Sequence, residues 1–299
     1  MKLIKIIAVV FVGVFTTPVL GQLSELDQYN PNSIEPIARY EHLFKRRVWV
    51  NVDLKEKQNK GFFARGGEIT KFIVEAVKSG KLTDIYVNDS LSTKMTKDHF
   101  LEKMVYEKGM EVEAWDPNFE YYAGDQVKYN GKVYTAIFDT NANPANTPED
   151  WEETPGVGQD VLFLPQQISI LQIMEDRIFD KRRSRLYYKV QSVKLIVPAS
   201  ETLDGVQLPI AVFKYKDLYR LFKEHPGEAI WINRYNSAEN KNFADAMTLR
   251  LFRGTLFKFE NPDDEPIVDM YPGNRMEAVM ASEWWEMQLM EKEHNLWEY

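Results

Sequence analysis

From Glu68 to Ser79 the apolar residues Ile69, Phe72, Ile73, Ala76 and Val77 recur at i, i+3, i+4, i+7 and i+8, with Gly80 just beyond. That rhythm predicts a helix with one buried face and a glycine C-cap. A second helix is expected from Lys97 to about Lys108, with Phe100, Met104 and Val105 on its apolar side, and a third over KDLYRLFKEHPG, stopped by Pro226 and Gly227. Phe243, Met247 and Leu251, at four-residue spacing, mark a fourth. Branched and aromatic residues predict strands at Val48-Trp49-Val50 and at Leu208 to Phe213. The stretch from Asp160 to Ala199 reads as long strands in a hairpin or meander, broken by charge from Asp180 to Arg185. Strands and helices mixed without repeats indicate an α+β fold.

Two segments stand apart from this pattern. The last helix, from Asn274, is apolar beyond one stripe: Met276, Met280, Trp284 and Met287 align, and Trp285 and Leu289 widen the face. A helix on one sheet needs only the first stripe, so the surplus points to partner contact. Trp115 to Trp151 instead carries Asn130-Gly131 between VKY and KVYTA, the signal of a two-residue hairpin turn in which both central residues take positive φ. Tyr129 then faces Lys132 and Val127 faces Tyr134.

The N-terminus changes the setting. Lys2 and Lys5 precede an apolar run from Ile6 to Phe15 and a Val19-Leu20-Gly21 end, which reads as a secretory signal peptide over residues 1–21, cut before Gln22. The run is shorter than the roughly 20 residues a spanning helix requires. Residues 22–43 read as an extended lead-in. The chain has no cysteine, so it is expected to be exported without disulfides or lipid attachment. With 45 acidic and 37 basic residues it is a poor partner for nucleic acid or anionic lipid.

Candidate chemistry is sparse. Without cysteine, thiol catalysis and thiolate zinc sites are excluded. His42, His99, His225 and His294 stand alone, and no GxSxG, GxxxxGK[ST] or GxGxxG motif occurs. No catalytic residue, cofactor or metal site is expected. Glu175-Asp176 followed by Asp180, Arg182 and Arg183 reads as a solvated charged turn or a polar contact with another subunit. Glu175, Asp176, Arg182, Arg183, Trp284, Trp285 and Trp297 are therefore the candidate partner interface.

Two resemblances follow from particular residues. Trp115-Asp116-Pro117-Asn118, Tyr121 with Gly124-Asp125, Val127-x-Tyr129-x-Gly131, Tyr134-x-Ala136 and Trp151-Glu152 resemble the chitin-binding type 3 module appended to bacterial glycoside hydrolases. That resemblance implies an inserted β module at 113–155 and sugar stacking on aromatic rings, with Tyr121 and Phe138 as candidates. Asp139 stands where that family places a second ring, which implies weakened glycan affinity.

More of the chain resembles the GldN/PorN family of the type IX secretion and gliding-motility machinery. The matching residues are Arg46-Arg47-Val48-Trp49, Asp53 to Asn59, Phe62-Phe63, Glu175-Asp176, Phe179 to Ser184 and Asn295 to Tyr299; Arg177 departs from the aromatic common there. This resemblance implies a discontinuous domain over 44–112 and 156–299. It further implies a non-enzymatic periplasmic subunit at the inner face of the outer membrane. Such a subunit would self-associate in a ring with a GldK/PorK-like lipoprotein and contact a GldM/PorM-like motor region. The alternative is a secreted or periplasmic protein that binds chitin or peptidoglycan.

Overall fold

Val48, Val50 and Val52 occupy alternate positions of β1 (His42–Asp53), and in the computed structural model all three enter the main hydrophobic core. The structure describes residues 29–107, 112–147, 149–154, 161–271 and 275–297; the expected signal peptide and the boundary at 155 lie outside them. The remaining strands used below are β2 (Ile85–Tyr86), β3 (Lys94–Met95), β4 (Gln126–Tyr129), β5 (Lys132–Ala136), β6 (Trp151–Glu153), β7 (Ile170–Asp180), β8 (Arg185–Val197), β9 (Leu208–Lys214) and β10 (Thr255–Phe259). Helices are α1 (Ile69–Lys78), α2 (Lys97–Lys103), α3 (Tyr215–Glu224), α4 (Phe243–Thr248), α5 (Ile267–Met270) and α6 (Arg275–Asn295). The fold is α+β. Its main sheet runs β10-β1-β7-β8-β9-β2-β3, with paired neighbours antiparallel.

The two faces of this sheet differ in chemistry. On the first, Leu171, Ile173, Val193, Leu195 and Phe213 continue the valine row and bury against Phe72 and Ile73 of α1, Leu218 and Phe222 of α3, and Phe243 of α4. Phe62 is fully enclosed beside Phe243, its ring centroid 5.9 Å away, and is met edge-on by Trp231 and Phe252. On the second face, Trp49 Nε1 donates to Asp89 Oδ2 at 2.7 Å and the Lys258 amine lies 4.4 Å from the Trp49 ring. Burial there pushes the Lys194 amine below the usual lysine range.

The expected hairpin between β7 and β8 is present, and β9 extends it into a meander. Two helices end earlier than their periodicity predicts. α2 stops at Lys103, Met104 caps it, and Val105 passes into a short strand paired with residues 161–162. α4 has six residues; Arg250, in the left-handed region at φ 53°, turns the chain before Leu251 can join it.

Residues 113–147 and 149–154 surround a separate small core. Asn130 and Gly131 have φ of 49° and 81°, β4 and β5 pair in the expected register, and β6 adds a third strand. Tyr121, Val127, Ala136 and Trp151 are buried together, with Trp115 and Tyr134 packed against them.

Candidate partner surface

α6 carries apolar residues on opposite sides, and only one side serves the chain's own core. The inward side presents Ala278, Ala281, Trp285 and Leu289. Trp285 lies 4.4 Å from Phe259 between ring centroids, and Ser282 Oγ donates to the Leu256 carbonyl of β10. Small side chains let the helix approach the sheet closely. At 100° per residue, Met280, Trp284, Met287 and Met290 lie on the opposite side. Met280 is 62% exposed and Trp284 48%. The two stripes are thus reversed from expectation: the Met276, Met280, Trp284 and Met287 row faces outward, while Trp285 and Leu289, read as surplus, pack inward. Trp285 is a half-buried packing residue. Trp297 is half exposed, its ring edge-on to Phe179 with centroids 5.5 Å apart.

Glu175 and Asp176 do not lie on a solvated turn. They sit inside β7, a strand flanked on both sides, and both are enclosed. Neighbouring strand residues point to opposite faces, so each carboxylate has its own partners. Glu175 Oε1 accepts from Arg177 Nε at 3.1 Å and Oε2 accepts from Arg250 Nη1. Arg177 Nη1 also lies 3.8 Å from Glu293 Oε1, linking this cluster to α6. Burial raises the Glu293 carboxyl above its usual range, against the pull of Arg177. On the other face, Asp176 accepts from Arg47 Nε at 2.7 Å and Nη2 at 3.1 Å, with Lys45 Nζ 3.3 Å away. The expected partner contact through Glu175 and Asp176 is corrected on this geometry, since both groups are used internally.

Arg182 and Arg183 are on the surface, at the turn joining β7 to β8. Arg182 Nη1 donates to Glu41 Oε1 at 2.9 Å and Arg183 Nη1 to Asp180 Oδ2 at 2.6 Å. Two backbone N–H groups and the Arg183 guanidinium hold the Asp180 carboxyl below its usual range despite its burial.

In the small β unit, Tyr121 is withdrawn from any ligand. Its ring packs edge-on to Trp151 with centroids 5.7 Å apart, and its hydroxyl accepts from the Asp116 N–H at 2.8 Å. Phe138 is exposed, and so are Phe119 and Tyr122, two rings that linear comparison with the module pattern passes over. Asp139 Oδ1 accepts from the Ala123 N–H at 3.0 Å and so braces the turn after Tyr122. The signal available in sequence was the surplus itself: more aromatic rings than so small a core can enclose.

Among the described residues no group of three or more histidine, cysteine, aspartate or glutamate side chains is placed to hold a metal ion. No helix among them is long and apolar enough to cross a membrane. His42 is half-buried with Nε2 at 3.1 Å from the Ile37 carbonyl, and burial lowers its pKa.

The profile of the family described as "Gliding motility associated protein GldN" matches residues 37–298. The chain belongs to the GldN family. GldN proteins are periplasmic components of the gliding-motility and type IX secretion apparatus, and this chain is such a component. No curated protein matches it. The match spans both the main sheet and the small β unit, so the exposed side of α6, the β7–β8 turn and the three surface rings all fall within a GldN-family sequence.

Proposed function

We propose that this chain is a non-enzymatic structural subunit of that apparatus, assembling in a ring with a GldK/PorK-like lipoprotein at the inner face of the outer membrane and contacting a GldM/PorM-like motor region. The observation that carries this reading is the outward row of Met280, Trp284, Met287 and Met290 on a helix whose other side already fills the core. Methionine and tryptophan are enriched at interfaces, and methionine adapts its shape to a partner. Replacing Trp284 with alanine is expected to leave folding intact and weaken association with the lipoprotein about 30-fold, the roughly 2 kcal/mol of a tryptophan hot spot. Trp285→Ala is expected to lower the melting temperature instead, because it removes the ring packed on Phe259. Purified proteins, thermal melts and a binding titration check both outcomes; unchanged affinity in a folded Trp284→Ala protein would move the partner surface elsewhere.

A second reading is favoured by Phe119, Tyr122 and Phe138, each exposed on the small β unit. The resemblance to chitin-binding modules and this ring surplus support an accessory carbohydrate contact. By analogy with base stacking, each ring contributes about 1–3 kcal/mol. Calorimetry of the mature chain with chitohexaose is expected to show binding that weakens tenfold or more in Tyr122→Ala and in Phe138→Ala. Absence of heat with the parent protein would remove this reading.

A further inference from the structure

We propose that the basic β7–β8 turn of one copy seats in an acidic groove between β10 and α6 of a second copy, a head-to-tail contact that rests on the assembly reading above and assigns it two surfaces. The turn presents Lys181, Arg182, Arg183 and Arg185, all exposed. Their carboxylate neighbours Glu41 and Asp180 are both buried, so four cations face outward against two enclosed anions. In a chain with net charge −8 this is a local reversal of sign.

The groove has a volume of about 470 Å³, an apolar floor that includes Leu256, Phe257 and Ala278, and carboxylates at Asp269, Glu283 and Glu286. Among the described side chains, no lysine or arginine lines it. On α6 the groove is lined by Ala278, Val279, Ser282, Glu283 and Glu286, which run from the core side towards the methionine row.

Distance forbids the two surfaces from meeting within one chain. Asn51, at the groove, pairs with Thr255, whereas His42 pairs with Asp180 at the turn. These positions lie at opposite ends of β1, about 30 Å apart at roughly 3.3 Å per residue. Like charges oppose turn-to-turn and groove-to-groove pairing. Turn-to-groove contact is attractive, and repeated in one direction, as the ring reading requires, it propagates from copy to copy.

The absence of cysteine makes the test direct. The full chain carrying Ser184→Cys and Val279→Cys, which keeps every charge of the two surfaces, is expressed in its own cells and treated with a bifunctional maleimide. A ladder of dimers, trimers and higher species is expected, whereas each single variant stops at dimer or monomer. Arg182→Glu with Arg183→Glu, added to that cysteine pair or assayed by sedimentation, reduces association at least tenfold. Glu283→Lys with Glu286→Lys does the same, and the two reversals combined restore it. Monomer alone from the double-cysteine protein overturns the contact. If that protein still co-purifies with the apparatus, the assembly reading survives; if it does not, both fail. Reversals that fail to rescue one another also overturn the pairing.

Discussion

Glu175→Leu is expected to destabilise the folded chain by about 3–5 kcal/mol, because it strips a shared counter-ion from two arginines. Arg177 is 5% exposed and lies within hydrogen-bond distance of Glu175 alone among the carboxylates described for it; Glu293 stands farther off at 3.8 Å. Arg250 reaches the same carboxylate from the loop after α4 and stacks over Tyr188 at 4.3 Å. With leucine at 175 the two guanidinium groups face one another across an apolar side chain. The melting midpoint should fall by roughly 6–20 °C at about 2–4 °C per kcal/mol. Adding Arg177→Met to Glu175→Leu should recover part of the loss, since an apolar replacement of both partners is far better tolerated than one stranded charge. A Glu175→Leu protein that melts within 2 °C of the parent, on the order of 1 kcal/mol or less, would show that solvent reaches the cluster.

Phe62→Ala is expected to have a comparable effect, about 3–5 kcal/mol, through a different mechanism. The ring closes the space between Phe243, Phe252 and Trp231, so its loss leaves a cavity lined by rigid aromatic groups that have little freedom to collapse. Phe62→Leu should restore part of the stability, and Met280→Ala, on the exposed side of α6, should change it by about 0.5 kcal/mol or less. Urea unfolding of the three variants checks the order. Equal losses in Phe62→Ala and Met280→Ala would mean that the outward row is covered within the monomer.

The sequence made some elements legible and not others, for local physical reasons. α1, β9 and the Asn130-Gly131 turn were readable because each is specified by neighbours in the chain: an apolar period with a terminal glycine, a branched run, a pair that tolerates positive φ. The faces of α6 were not. Periodicity located its two apolar sides but ranked them by side-chain size, whereas close approach to a sheet selects Ala278, Ala281 and Ser282 and leaves methionine outside. Glu175 and Asp176 looked exposed because the groups that neutralise them, Arg250 and Arg47, are distant in sequence and adjacent only after folding. Phe138 was identifiable as a surface ring from its place after the Tyr-x-Ala strand; Phe119 and Tyr122 required the turn geometry that withdraws Tyr121 and turns them out.

The alternation of Glu175 and Asp176 across β7 has a consequence for how the sheet finds its alignment. Leu171 and Ile173 are buried on one face of β7, Met174 and Ile178 on the other, so a shift of one residue would still bury apolar groups on both sides. Hydrophobicity alone therefore discriminates poorly between alignments. The charges do not share that tolerance. A one-residue slip puts one carboxylate in the other's place and leaves the second enclosed away from the guanidinium that matches it. The acidic pair thus works as a proofreading device, admitting the alignment in which Arg47 and Arg250 are both answered and rejecting those that differ from it by one residue.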